Sequence, residues 1–160
     1  MEYDYEDGLE EDPITQWVTF ILDGEKYGIN VIQVREVLRN IEIAPVPGAP
    51  SYVLGIINLR GNVVTVLDTR ARFGLISVDF NEESRIIIIE TNDQIVGLLV
   101  DSIAEVADIL QSQIELTPNV GNDDSAIYIQ GVHSKNGELL ILVDVEKVLS
   151  DDEWAEMDIL

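Results

Sequence analysis

The chain reads as one motif written twice. Residues 15–37 align without gaps on 84–106, placing Gly28 on Gly97, Val31 on Val100, Glu36 on Glu105 and Val37 on Val106. Residues 52–73 align in the same way on 128–149, where Tyr52 meets Tyr128, Gly55 meets Gly131, Gly61 meets Gly137 and Asp68 meets Asp144. Apolar positions also coincide: Val63, Val64, Val66 and Leu67 face Leu139, Leu140, Leu142 and Val143. The second copy is longer near residues 111–126. A duplication constrains the fold strongly, because whatever one half forms the other must form too. Each half is near the size at which an isolated module is only marginally stable, so the two are expected to share a buried interface. The repeats divide near residues 78–83.

Strand signals dominate both copies. Segments 17–22, 52–58, 63–67, 85–90, 95–100, 127–132 and 139–143 are short, rich in β-branched and aromatic residues, and bounded by turn formers. Asp23-Gly24, Arg60-Gly61-Asn62, Asn92-Asp93 and Asn136-Gly137 supply residues that tolerate the positive φ of tight hairpins. Many short strands with tight turns argue for small barrels or a sandwich rather than a parallel sheet. Residues 31–38 read as a brief helix, with Val34, Val37 and Leu38 on one face. Residues 69–73 and 145–149 read as single turns closing a strand. Ser150 and Asp151 offer N-cap chemistry for a last short helix over 152–157.

Composition narrows the function. Thirty-one acids against nine bases leave a formal charge of −22. Such a surface repels the phosphates of nucleic acid and the headgroups of anionic lipid. Part of the acid excess sits at the ends, and the acidic stretch over residues 1–13 is expected to be a disordered tail. No cysteine is present, which excludes disulfides and thiolate chemistry. The N-terminus lacks the basic and apolar regions of a signal peptide, and the longest apolar runs fall short of a membrane helix, so a cytoplasmic location is expected.

Catalysis finds no support. The lone histidine, His133, aligns with Ile57 inside a strand pattern, which suits a structural role. There is no Gly-x-Ser-x-Gly elbow, phosphate-cradling Gly-Lys-Ser/Thr loop, His-Glu-x-x-His pair or EF-hand spacing. No catalytic residue, metal or cofactor is expected.

The repeat exposes what the two copies do not share. The paired glycines suit backbone geometry, and Asp68 and Asp144 suit N-caps of the turns that follow their strands. Arg60 differs: it stands at a hairpin tip, in Asn58-Leu-Arg-Gly-Asn62, where the second copy has Asn136. Glu36 is placed to bridge to it, too weakly at a surface to matter for folding, but well enough to orient a guanidinium towards a partner. The stretch Ile41-Glu-Ile-Ala-Pro-Val-Pro-Gly-Ala-Pro50 is stiff and poor in backbone donors, as a structural crossover or a rigid edge would be.

Together these residues resemble the CheW family of chemotaxis coupling proteins, over about residues 16–149. The resemblance rests on Gly55-Ile-Ile-Asn-Leu-Arg-Gly-Asn-Val-Val-Thr-Val-Leu-Asp-Thr-Arg70, with Tyr27-Gly-Ile-Asn-Val-Ile-Gln-Val-Arg-Glu-Val37 before it. Val96-Gly-Leu-Leu-Val-Asp101 and Leu140-Ile-Leu-Val-Asp144 follow in the family's order and spacing. It implies a mainly β fold of two SH3-like five-stranded barrels, here over 14–80 and 81–150 with exchange of strands allowed, and a short C-terminal helix or tail over 151–160.

The resemblance further implies a non-enzymatic adaptor that joins the cytoplasmic tips of chemoreceptors (methyl-accepting chemotaxis proteins) to the regulatory domain of the histidine kinase CheA. Matched by position, receptor contacts fall on Val34, Glu36, Gly55 and Arg60, in the groove between the barrels. Kinase contacts fall on apolar barrel surface and on a second face at Glu115, Pro118, Asn119 and Val120. That face departs from relatives that carry a basic residue in place of Glu115 and an acid–aromatic pair in place of Asn119 and Val120. A CheV protein is not expected, because no receiver domain follows Leu160. Competing readings are the same fold serving a related receptor–kinase pathway, or a barrel binding a small ligand in a cavity between the halves.

Overall fold

Four two-residue turns organise the chain. Asp23 and Gly24 (φ 52° and 81°), Arg60 and Gly61 (52° and 88°), Asn92 and Asp93 (52° and 60°), and Asn136 and Gly137 (54° and 79°) all adopt positive φ. Two successive positive φ values make turns whose twist matches that of paired strands. The computed structural model describes residues 12–39, 41–116 and 127–157. It places a hairpin at each turn: β1 (Ile14–Leu22) with β2 (Glu25–Asn30), β4 (Val53–Leu59) with β5 (Asn62–Asp68), β6 (Arg85–Thr91) with β7 (Gln94–Val100), and β9 (Ile129–Lys135) with β10 (Glu138–Val143). Two further strands, β3 (Val34–Leu38) and β8 (Ser102–Leu110), complete a mainly β fold.

Two five-stranded sheets result, ordered β8-β1-β2-β10-β9 and β3-β6-β7-β5-β4. Each draws strands from both repeats, so the division near residues 78–83 separates repeats along the chain but not barrels in space. Each sheet is stitched by one parallel pair between repeats, β2 with β10 and β7 with β5. Corresponding residues keep corresponding partners: Val106 opposite Val18 and Val37 opposite Ile87, with the same bulge repeated in each.

Both sheets also close by the same device. Beyond β3, Ala44 exchanges two 2.8 Å backbone hydrogen bonds with Ile56 of β4, and beyond β8, Glu115 does the same with Val132 of β9. The stiff proline stretch is thus the crossover whose Ala44 seals one barrel.

The helix expected over 31–38 is instead a 3-10 turn, Val31–Gln33, leading into β3. Asn30 caps that turn through Ile32 N at 3.1 Å, and Val34 onwards pairs with β6. Strand pairing supplies hydrogen bonds and a β-branched packing surface that a lone two-turn helix lacks. The other short turns form as expected. Asp68 accepts from Ala71 N at the start of α1 (Thr69–Arg72), and Asp144 accepts from Glu146 N before the 3-10 turn Val145–Lys147. At α2 (Asp151–Met157), Ser150 Oγ accepts from Glu153 N while Ser150 N donates to Glu153 Oε1, a reciprocal capping box. Residues 1–11 of the expected tail and 158–160 lie outside the described residues, whereas Asp12 already anchors Ser112 N at 2.9 Å.

Strand alternation sorts the core into three parts. Ile57, Val64, Val66, Ile86 and Ile88 fill one barrel, and Trp17, Ile109, Leu140 and Leu142 fill the other. A larger cluster lies between them, including Phe20, Ile29, Leu67, Ile87, Ile89 and Leu98. The run Ile86–Ile89 is therefore buried on both faces, two residues into a barrel and two into the shared interface. Full burial of each contributes about 1.5–3 kcal/mol.

Polar latches tie the repeats across this interface. Arg70 binds Asp101 through Nε at 2.8 Å and Nη2 at 2.6 Å. Hydrogen bonding from Arg70 holds the Asp101 carboxyl below its ordinary range, against the opposing effect of burial. A lowered folded pKa contributes stability that is present above the unfolded carboxylate range and is lost as pH falls through the folded value. Asp101→Asn is therefore expected to cost about 1 kcal/mol at neutral pH and to flatten the acid limb of stability, as urea melts from pH 7 to 3 will show.

Candidate docking site

The Arg60 turn is built by its neighbours. Asn58 Oδ1 accepts from Gly61 N at 2.9 Å, fixing the hairpin tip so that the arginine projects from the mouth of its barrel. Glu36, on β3, meets it there. Arg60 Nη1 donates to Glu36 Oε1 at 3.3 Å, and Nη2 donates to Oε2. The hydrogen bond from Arg60 holds the Glu36 carboxyl below its usual range. The arginine side chain remains 70% exposed while Glu36 is 29% exposed, so the pair points a cation outwards.

Beneath the pair lies a hollow of about 260 Å³ floored by Leu59, Val64, Ile88 and Ile95. Arg35 stands on its rim and pairs with Glu90 at 3.0 Å. An apolar floor rimmed by oriented guanidinium groups suits a protein partner that offers an apolar side chain with an acceptor nearby.

The other receptor-contact candidates have structural roles of their own. Val34 lies opposite Ile89 and packs on the inter-barrel cluster. Gly55 is buried in the barrel seam, where a Cβ would stand 2.3 Å from Ala44 O. The structure thus joins Glu36 and Arg60 directly and places Val34 and Gly55 in the frame that carries them. Of the second face, Glu115 is exposed and closes its barrel through its backbone, while Pro118, Asn119 and Val120 lie outside the described residues. Among the described residues no group of acids and histidine is arranged to hold a metal ion, and no helix is long and apolar enough to cross a membrane.

Sequence reasoning anticipated only the Glu36–Arg60 pair and missed others, among them Arg35–Glu90, Arg70–Asp101, Arg72–Glu153 and Lys26–Glu105. Lys26 Nζ lies 2.6 Å from Glu105 and 3.6 Å from Glu138. The signal for it was present, since the repeat sets Lys26 against the apolar Ile95.

The double barrel and its Asn-Leu-Arg-Gly hairpin coincide with a known family: a model of the CheW-like domain matches residues 16–153. The chain belongs to the CheW-like domain family. It is 32% identical to the chemotaxis protein CheW of Helicobacter pylori over 143 residues, 89% of this chain and 86% of that protein. Against the chemotaxis protein CheW of Bacillus subtilis it is 34% identical over 135 residues, 84% and 86% of the two chains. In three dimensions it matches the crystal structure of the scaffolding protein TtCheW from Thermoanaerobacter tengcongensis with a TM-score of 0.76. That match has 34% identity and covers 82% of this chain and 89% of that one. These relatives are named as chemotaxis proteins, and the solved neighbour is described as a scaffolding protein.

Proposed function

We propose that this protein couples the cytoplasmic tips of chemoreceptors to the regulatory domain of the histidine kinase CheA, at receptor arrays on the inner face of the membrane. The observation that carries this is the exposed Arg60, held bidentately by Glu36 over an apolar hollow, in a chain of the CheW-like family. The receptor tip docks at the surface that Val34, Glu36, Gly55 and Arg60 build, with Glu36 and Arg60 as its contacts and Val34 and Gly55 as the frame that holds them. The kinase engages apolar barrel surface away from that hollow, together with the face around Glu115, Pro118, Asn119 and Val120. The protein performs no chemistry: its two interfaces share one inter-barrel core, so occupancy of one biases the geometry offered at the other.

Arg60→Glu is expected to leave the fold and melting temperature unchanged, because the Glu36 pair is solvent-exposed, and to weaken receptor binding by at least ~tenfold. The test is an NMR titration of labelled protein with a receptor-tip fragment and, separately, with the CheA regulatory domain. Two footprints, one around Glu36 and Arg60 and one on apolar barrel surface, support coupling. Unchanged receptor affinity in folded Arg60→Glu removes the arginine from the site.

A further inference from the structure

The internal symmetry places a second copy of the docking site at the mouth of the other barrel. Val34, Glu36, Gly55 and Arg60 correspond to Ile103, Glu105, Gly131 and Asn136. The copy has an apolar residue for Val34, the same glutamate and the same seam glycine. Its hairpin tip has nearly the same backbone, φ 54° at Asn136 against 52° at Arg60. It also surrounds a comparable hollow of about 330 Å³, whose walls include Lys26, Glu105, His133, Glu138 and Leu140.

What differs is the source and direction of the positive charge. In the first mouth, Arg60 approaches Glu36 from the hairpin tip and stays 70% exposed. In the second, Lys26 reaches Glu105 from β2, and its side chain is only 15% exposed while that of Glu105 is 62% exposed. The residue equivalent to Lys26 in the first mouth is Ile95, which leaves Glu36 to the arginine. A hydrogen bond to Lys26 holds the Glu105 carboxyl below its usual range, so it stays ionised. An approaching acceptor therefore meets the carboxylates of Glu105, Glu138 and Asp108 and the ammonium groups of Lys26 and Lys135 rather than a guanidinium.

We propose that Lys26 and Asn136 together silence the second copy of the docking site: the hairpin tip offers no guanidinium, and Lys26 captures Glu105 from inside the mouth, so that the duplicated chain presents one receptor-docking site instead of two. This rests on the docking role proposed for Arg60. Lys26 and Asn136 are then specificity-determining residues: they fix the stoichiometry of coupling without touching the bound partner.

Isothermal titration with the same receptor-tip fragment tests it, using folded full-length protein. Wild type is expected to bind one fragment per chain, and Arg60→Glu to lose at least ~tenfold in affinity. Adding Lys26→Ile and Asn136→Arg to the Arg60→Glu chain is expected to restore binding to within ~tenfold of wild type, with amide shifts at Ile103, Glu105 and Gly131. The same two changes in the wild-type chain are expected to raise the stoichiometry from one to two. Lys26→Met with Asn136→Arg serves if isoleucine impairs folding. Loss in Arg60→Glu without restoration in the folded triple variant overturns the silencing and leaves the docking site standing. Wild-type affinity in Arg60→Glu overturns both, and two fragments per wild-type chain overturn the silencing alone.

Discussion

Replacing Gly55 by alanine is expected to destabilise the protein by about 3 kcal/mol, combining backbone overpacking with the weakening of two seam hydrogen bonds. The added Cβ would stand 2.3 Å from Ala44 O and 2.8 Å from Ala44 C, and neither atom belongs to a flexible side chain. Relief requires moving the 41–47 crossover away from β4, which opens the pair of 2.8 Å bonds between Ala44 and Ile56 that closes the barrel. Gly131 provides an internal control. There the added Cβ meets the Ile114 side chain at 2.9 Å and Glu115 O at 3.0 Å, a contact the seam relieves with a smaller shift. Gly131→Ala is therefore expected to cost less than Gly55→Ala in urea unfolding at neutral pH. Equal costs would show that the Ala44 contact is not what limits the site. The comparison also bears on function. Arg60→Glu is expected to lose binding at unchanged stability, whereas Gly55→Ala loses both, which marks the glycine as frame rather than contact.

Trp154→Ala is expected to cost about 4 kcal/mol and to detach α2. Trp154 is 5% exposed within the inter-barrel cluster, and its indole Nε1 donates to Glu146 O at 2.9 Å. Its own carbonyl accepts from Gln94 Nε2 at 2.9 Å. The helix has seven residues, too few to persist without tertiary contacts. Arg72 binds Glu153 through Nη1 at 3.0 Å and Nη2 at 2.6 Å and donates from Nε to Val148 O at 2.7 Å, while Tyr52 Oη donates to Glu156 at 3.1 Å. These contacts orient α2, but the tryptophan supplies most of the apolar burial that holds it down. Hydrogen exchange of the α2 amides should rise to the unprotected rate in the variant while β6 and β7 remain protected. Protection retained in α2 would show that the Arg72 and Tyr52 contacts suffice alone.

Much of the fold is legible in the residues themselves. Three of the four turns are built wholly from Asp, Asn and Gly, which accept positive φ, the fourth sets Arg60 before Gly61, and each produced a hairpin. The paired Asp68 and Asp144 became caps, the acidic Ser150 segment became a capped helix, and the aligned repeats became sheets of matching order and register. The candidate site was legible for the same reason. Arg60 stands out as soon as one copy is laid on the other, because a duplicated frame turns any unshared charge into a question, and Glu36 follows as the acid placed to bridge to it.

The remainder depended on residues far apart in the chain. Locally, residues 31–38 satisfy a helical pattern as well as an extended one, and only pairing of Val34, Val37 and Leu38 with β6 decides for a strand. β8 takes its register from β1, whose residues lie 94 positions away at the Thr15–Ile109 hydrogen bond. The exchange of strands between barrels, and the capture of Glu105 by Lys26 across β2 and β8, arise in the same way. Turn geometry and capping are settled by energies between neighbours, so the sequence determined them. Strand choice and barrel membership are settled by burial and pairing between distant segments, and only the assembled tertiary structure supplies those partners.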